Sequence, residues 1–548
     1  MTKTKHPFRS AAAALLVSLS LAACVGIPSN GSVMTGDIVT EEEDFPFAPL
    51  PSGPQEDSTQ QEILTDFMQA ATSPEGSYEI ARQFLTADAS DDWSPNASVL
   101  IREGSGTMVS TSESTVEYGV STRASIDSYG LYSEERNQGT RNLSFSFESV
   151  DGQWRISELE DGTVLSRDNF EAAFDAHALY FFDPSYRYLV PDVRWFPTRS
   201  NVSTRIVNAL LSGQASWLQQ GATLTAFPQG TQLAGPVDVS SGRTSIDFTD
   251  EIAQSGPLDK ARMQQQLETS LGTVNVNTVS MSVRGVPLVV PDPGDSTATL
   301  TPPVDSEPLV VLDGEFGFAA DDGIATLPGL SEKIVALNPT AVSLSRGQSS
   351  AAVLGSDGVN LVTAGEANPR LLDERANLIA PTIDTWRYVW TVPQNNASAI
   401  RAIGPEGDTH EITSSVPSDA SIVSMDVSRD GARMLMYVNT TAGPRLYVAA
   451  VLRRDGVPAG LGELVDLPVA TDPPLDASWV DDRSVATLAR SDNQSVVTLF
   501  EIGGPRSTLG TADGGSVIAG GNGVVQIRVL TADGAILQRR ASGWQSTG

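Results

Sequence analysis

The sequence predicts a multidomain protein built from an α+β module, a compact α/β module and an all-β propeller of about six blades. Three observations carry that prediction. A chain of 548 residues is too long for one hydrophobic core. Apolar residues recur at helical spacing only in its first three hundred residues or so. Past residue 303, short β-type runs with turn pairs start about every forty residues, the period of four-stranded propeller blades.

Residues 1–23 read as a secretion signal. Lys3, Lys5 and Arg9 precede an apolar run over 11–23. A membrane span needs about twenty apolar residues, so this run predicts a cleaved leader rather than a permanent helix. It ends in Leu21-Ala22-Ala23-Cys24, which resembles the bacterial lipobox. The small side chains at 22 and 23 suit a signal peptidase, and the Cys24 thiol would receive diacylglycerol. Cys24 is the single cysteine, so no intramolecular disulfide is available. The expected product is lipid-anchored on the extracytoplasmic face of the cell membrane, each buried methylene contributing about 0.8 kcal/mol. Residues 24–58 are rich in Pro, Gly, Ser and acid, with the run Glu41-Glu42-Glu43-Asp44, and predict a flexible tether.

The formal net charge is −32, and removing the three leader cations makes it −35. Nucleic acid binding requires Lys and Arg to displace counterions, so a surface of this sign argues for no nucleic acid partner.

Within 59–165, Ile63, Leu64, Phe67, Met68 and Ala71 mark one helix. Tyr78, Ala81, Phe84 and Leu85 mark a second, after the turn Pro74-Glu75-Gly76. Strand-type alternation follows over 98–156, with Asp151-Gly152 between two short runs as a hairpin signal. Helices before a curved antiparallel sheet predict an NTF2-like module. Residues 166–200, with Leu179-Tyr180-Phe181-Phe182, read as a connector that also packs. Over 201–291 the pattern is α/β. A helix carries Val202, Ile206, Val207, Leu210 and Leu211, and a second spans 261–271, with strands at 237–239, 245–248, 276–283 and 286–290. A Pro-rich linker occupies 292–303. The propeller fills 304–548, with β runs beginning near Ala341, Asp384, Ser424, Ala477 and Gly515.

These features together resemble the actinobacterial LpqB lipoprotein family from end to end. The resemblance rests on Leu21-Ala22-Ala23-Cys24-Val25-Gly26-Ile27-Pro28, the run 78–85 (YEIARQFL) and the run 150–156 (VDGQWRI). A GerMN-like stretch runs from 206–213 (IVNALLSG) through 226–230 (AFPQG) to 246–248 (IDF). It implies a GerMN domain over 201–291. It also implies an accessory role in two-component signalling: association with the extracellular domain of an MtrB-type histidine kinase, and an influence on phosphorylation of its partner regulator MtrA. Cell-wall metabolism and division are the processes linked to that system. A cell-wall ligand bound on the propeller face or the α/β module is the alternative partner. The family brings no catalytic motif, so only Cys24 carries over as a functional residue.

The residues themselves point the same way. A Ser-His-Asp hydrolase needs a histidine base, and the chain beyond the leader has only His177 and His410. His177 lies among aromatics and His410 in a turn-like stretch, and neither accompanies a G-x-S-x-G elbow. No H-E-x-x-H, spare cysteine or D-x-[DN]-x-[DN]-G loop offers a metal site, and no Gly-rich phosphate loop precedes a helix. Asp321-Asp322 and Asp481-Asp482 are expected as turn residues in a chain with 67 acids. The expectation is therefore no enzyme activity and no cofactor, with a propeller hydrolase as the least favoured alternative. Metabolic labelling with an alkyne fatty acid tests the anchor: Cys24→Ala should abolish labelling and leave an unprocessed or shed protein, and a mutant that still takes up label refutes the lipobox.

Overall fold

The computed structural model describes residues 51–73, 75–198, 201–300, 302–320, 323–541 and 543–547. The leader, Cys24, most of the expected tether and the Asp321-Asp322 pair lie outside the described residues. No helix among the described residues is long and apolar enough to cross a membrane.

The first helix, α1 (Gln60–Ala70), starts where Thr59 and Glu62 form a reciprocal capping box. Its Ile63, Leu64, Phe67 and Ala70 are buried. The expected second helix is shorter than its apolar pattern. Only α2 (Glu79–Arg82) is helical, because Tyr78 enters it at φ 64 and the chain then leaves to pair with a strand. The Phe84 carbonyl accepts from Ile156 N, and Thr86 N donates to the Ile156 carbonyl. After α3 (Ala87–Asp92) come β1 (Ser98–Ser110), β2 (Thr115–Asp127), β3 (Tyr132–Val150), β4 (Gln153–Glu158) and β5 (Thr163–Ser166), in the sheet order β4-β3-β2-β1-β5. Asp151 and Gly152 join β3 to β4 with φ 52 and 79, the all-positive pair of a two-residue hairpin. Register shifts at residues 101–107, 122–124 and 146–147 bend the long strands. The hollow they form holds Phe67, Phe84 and Trp93 against Val116, Val120, Leu143, Phe145 and Phe147. This is the NTF2-like module.

After α4 (Arg167–Ala173), the stretch expected as a packing connector folds as a hairpin of β6 (Phe174–Phe182) and β7 (Leu189–Pro197). Its unbroken apolar run is the mark of a strand buried on both faces. Leu179, Phe181 and Phe196 join one core with α5 (Val202–Ser212) and α6 (Pro257–Leu271). Ala178, Tyr180, Phe182 and Leu189 join another, which includes Ala298. The α/β sheet runs β11-β10-β9-β8, with β8 (Val239–Ser240), β9 (Arg243–Phe248), β10 (Thr278–Val283) and β11 (Val286–Pro287). β9 and β10 are parallel, with α6 between them in sequence. The expected 286–290 strand is regular only over Val286–Pro287, and Leu288 N still donates to the Met281 carbonyl beyond it. The linker is partly pinned: Ala298 exchanges two hydrogen bonds with the Gln265 side chain, and Thr299 pairs with Arg187 and Leu189.

Among the described residues from Leu309 onward the chain forms six antiparallel sheets, the propeller anticipated from the repeat. The first has three strands, Leu309–Leu312, Glu315–Ala320 and Gly323–Thr326, followed by α7 (Ser331–Ala336). Leu330 and Ile334 pack this sheet's Phe316 against Ala351, Val353 and Val362 of the second. The other five sheets each have four strands, with first strands Ala341–Leu344, Thr382–Ile383, Ser421–Val427, Pro474–Trp479 and Gly515–Ala519. Two details differ from the periodicity. The run beginning at Asp384 is the turn after a first strand, and its buried carboxylate ties Trp386 N, Tyr388 N and Trp390 Nε1 together. Residues Val524–Gln526 form a 3-10 turn, and the next strand is Arg528–Thr531. Asn522 joins the last sheet to the chain entering the first: Val304 N donates to its Oδ1 and its Nδ2 donates to the Val304 carbonyl, both at 2.9 Å.

The first strands are laced to one another by a repeated contact. Ser343 Oγ accepts from Ile383 N, Thr382 Oγ1 from Val427 N, Asp426 Oδ2 from Trp479 N, and Ser478 Oγ from Gly520 N, at 3.2–3.4 Å. Asp476 Oδ2 adds a bond from Ile518 N at 2.9 Å. Burial pushes the carboxyls of Asp426 and Asp476 up to about 6, with the charge of Asp426 contributing at Asp476. Arg429 partly offsets this at Asp426. Because both values lie above the ordinary 3.8, the stability these groups contribute is full below about pH 3.8 and is lost as pH rises through about 6. His177, lowered by burial, acts in the opposite direction. Melting temperature should therefore rise from pH 7.5 to 5.5 by more in the natural chain than in an Asp426→Asn, Asp476→Asn double variant. Identical profiles would exclude these two carboxyls as the cause.

Candidate functional site: the junction of the three modules

One strand brings the three modules together. β7 alternates between two apolar faces, yet it carries Asp192 and Arg194, both buried to 3% side-chain exposure. Their i,i+2 spacing puts them on one side of the strand, and Arg194 Nη2 meets Asp192 Oδ2 at 2.7 Å. Each then ties in a different segment. Arg194 Nη1 donates to the Tyr129 carbonyl of the NTF2-like module, and Asp192 Oδ2 accepts from Ala215 N after α5. The pair fastens the first module to the second without leaving a buried charge unmatched.

The same region seats on the fourth and fifth propeller sheets. Val190, Leu218 and Ala222 pack on Ala432 and Ala450. Trp195 Nε1 donates to the Gly503 carbonyl at 2.8 Å. Gly503 has φ 79, and a Cβ there would lie 3.3 Å from the Val193 side chain and backbone, so the loop reaches β7 only with glycine. Around this apolar contact the links are ionic. Glu134 of the NTF2-like module lies between Arg123 at 3.6 Å and Arg506 of the propeller at 3.4 Å. Arg136 pairs with Asp466, and Ser216 Oγ donates to Glu463 at 3.1 Å.

These contacts enclose a cavity of 300 Å³ to which all three modules contribute. Trp217, Val193, Leu464, Leu467, Phe500 and Ile502 form its apolar wall. Its polar lining includes Glu134, Asp192, Arg433, Glu463, Asp466, Arg483 and Glu501. Burial raises the carboxyls of Glu134 and Glu501, against the opposing pull of Arg506 and Arg123 on the former and Arg483 on the latter. Concave, mostly apolar pockets between domains with a few convergent polar groups are where ligands bind.

The two histidines are far from such an arrangement. His177 is buried, its Nδ1 is 3.2 Å from Thr273 Oγ1, and its ring stacks on Phe196 at 6.0 Å. Burial lowers its pKa. His410 sits on the strand Thr409–Glu411 rather than in a loop, with Nε2 2.6 Å from Asp408 Oδ2. Among the described residues, neither ring has a serine hydroxyl within hydrogen-bond reach. Asp481 acts as a turn residue, its Oδ1 accepting from Arg483 N, Ser484 N and Ser484 Oγ.

Two small modules seated on a six-sheet propeller define a modular propeller protein whose prominent site is a shared junction. Family models divide the chain the same way. Residues 53–171 match the N-terminal domain of lipoprotein LpqB, 178–289 match the sporulation and spore germination domain Germane, and 314–548 match the LpqB beta-propeller domain. The chain belongs to the LpqB lipoprotein family. The lipoprotein LpqB of Cutibacterium acnes is 25% identical over 528 residues, covering 90% of this chain and 87% of that protein. That of Streptomyces coelicolor is 26% identical over 546 residues, covering 89% and 87%. That of Bifidobacterium longum is 31% identical over 247 residues, covering 41% and 42%. The name lipoprotein implies a lipid-anchored membrane protein.

The buried pair supplies a stability test. Asp192→Ala leaves the Arg194 guanidinium buried without its counter-ion, and such single removals cost about 3–5 kcal/mol. Replacing both residues by apolar ones of similar volume should cost much less. Urea unfolding followed by tryptophan fluorescence measures both, and equal losses in the two variants would show that the charge is not what matters.

Proposed function

We propose that this chain is an accessory signalling lipoprotein. Lipid on Cys24 holds it to the extracytoplasmic face of the cell membrane. Its folded body binds the extracellular domain of an MtrB-type histidine kinase and biases that kinase's activity, in a system linked to cell-wall metabolism and division. Membership of the LpqB family is the observation that carries this reading. The lipobox-like Leu21-Ala22-Ala23-Cys24 supports the anchor. The placement of His177 and His410 supports action by contact rather than by catalysis. Anchoring to the kinase's own membrane raises the effective concentration of the two partners, so a weak interface suffices.

A partner that binds both kinase conformations equally shifts nothing, so the body must discriminate between them. Two measurements test this. Purified residues 51–548 should bind the isolated sensor domain, and adding them to full-length kinase in vesicles should change its autophosphorylation. No binding at high micromolar concentration would overturn the reading, and binding with unchanged phosphorylation would reduce it to a scaffold.

A further inference from the structure

Five of the six joints around the propeller are sealed by a shared apolar core. Each neighbouring pair from the first sheet to the last has one, ending with Leu488 and Val497 of the fifth sheet against Ile518 and Val529 of the last. Among the described residues, no such core joins the last sheet to the first. Strand alternation shows what this leaves uncovered. Ile518 and Val529 face the fifth sheet and are 3% and 0% exposed. Val517 and Leu530, paired across the same two strands, face the other way and are 46% and 41% exposed. In the first sheet, Leu312 lies on the face opposite Leu309 and Phe316, which pack on the second sheet, and it is 58% exposed. The two hydrogen bonds between Val304 and Asn522 fasten this seam in place of a core.

Val304 is tied in turn to the β6–β7 hairpin. Five residues before it, Thr299 N donates to the Arg187 carbonyl and the Thr299 carbonyl accepts from Leu189 N. Pro302 and Pro303 lie between, and proline's fixed φ makes such a spacer stiff. The hairpin itself lies across the ring. Arg346 of the second sheet stacks over its Tyr188 at 4.8 Å, its Val190 packs on Ala432 and Ala450 of the fourth, and its Trp195 bonds Gly503 of the fifth. The second and fifth sheets are opposite members of a ring of six, so the hairpin is a strap from one side to the other.

We propose that the propeller opens between its last and first sheets, and that the β6–β7 hairpin controls this opening through Thr299 and Val304. A shift of the hairpin moves Thr299, the prolines carry the movement to Val304, and the clamp on Asn522 releases. The clamp is then the two-state element that both the seam and the small modules bias. Whatever repositions those modules on the propeller changes the ring, a property independent of the kinase reading.

Hydrogen exchange of residues 51–548, read by mass spectrometry, tests both halves. Glu315–Ala320 and Arg528–Thr531 are flanked by strands on both sides, as are Arg433–Thr440 and Ser484–Ser491 of the fourth and fifth sheets. Amides of the first two strands should exchange at least tenfold faster than those of the last two, because local opening sets their protection. Asn522→Ala should widen that difference. Arg346→Ala, at an exposed position, and Gly503→Ala, whose new Cβ meets Val193 at 3.3 Å, loosen the strap at its two ends. Each should speed exchange at least threefold in both the first and the last sheet. Equal protection in all four strands of the natural chain overturns the opening. Faster exchange only in the sheet that carries the substitution overturns the strap, and Arg346→Ala decides this even where Gly503→Ala folds poorly.

Discussion

A propeller's innermost strands each have a partner on one side only, and the unmet N–H groups on the other side need acceptors. That requirement organises the larger half of this molecule. Here the answer is a side-chain oxygen at one recurring position: Ser343, Thr382, Asp426 and Ser478, each accepting from the following sheet. Where the acceptor is a carboxylate, enclosure raises its pKa, so the joint held by Asp426 and the next one, to which Asp476 adds its own bond, carry titratable groups while the earlier joints carry hydroxyls. The laced sheets hold the fourth and fifth blades in place, and the other two modules rest on those blades.

The junction combines two kinds of contact with different consequences. At its centre, Val190, Leu218 and Ala222 pack on Ala432 and Ala450 and exclude water. At its rim, Arg136 and Asp466 form an ion pair partly open to solvent, which contributes little and is screened by salt, while Glu134 is held out of water between Arg123 and Arg506. Domain interfaces with such mixed character permit relative motion more readily than obligate ones. A cavity enclosed at the meeting point is the place where small rearrangements would be felt by all three modules.

Local patterns in the sequence marked most of this architecture. The helix face of Ile63, Leu64 and Phe67, the Asp151-Gly152 hairpin and the β runs every forty residues or so all depend on neighbours along the chain, and each is present in the structure. The exceptions have tertiary causes. Phe84 leaves its expected helix because the Ile156 backbone pairs with it. The 166–200 stretch is a hairpin because apolar partners on both sides bury it, which its run Leu179-Tyr180-Phe181-Phe182 signalled without naming the partners. The candidate site was the least legible. Trp195 meets Gly503 and Glu134 meets Arg506 across more than three hundred residues, and no period or motif reports such pairs. Asp192 and Arg194 inside an apolar strand were the available sign, since buried charges exist only where something answers them.

The clamp between Val304 and Asn522 spans 218 residues. Its two hydrogen bonds cannot form until nearly the whole propeller has been delivered and shaped, so ring closure is a late, non-local event in the history of each molecule. Topologies dominated by such distant pairings fold slowly, because the entropy of closing a long loop is spent before the contacts return anything. Until then the incomplete ring exposes strand edges, the surfaces through which chains aggregate. A polypeptide that emerges on the far side of a membrane would pass through this vulnerable interval there, and one asparagine near its C-terminus decides when the interval ends.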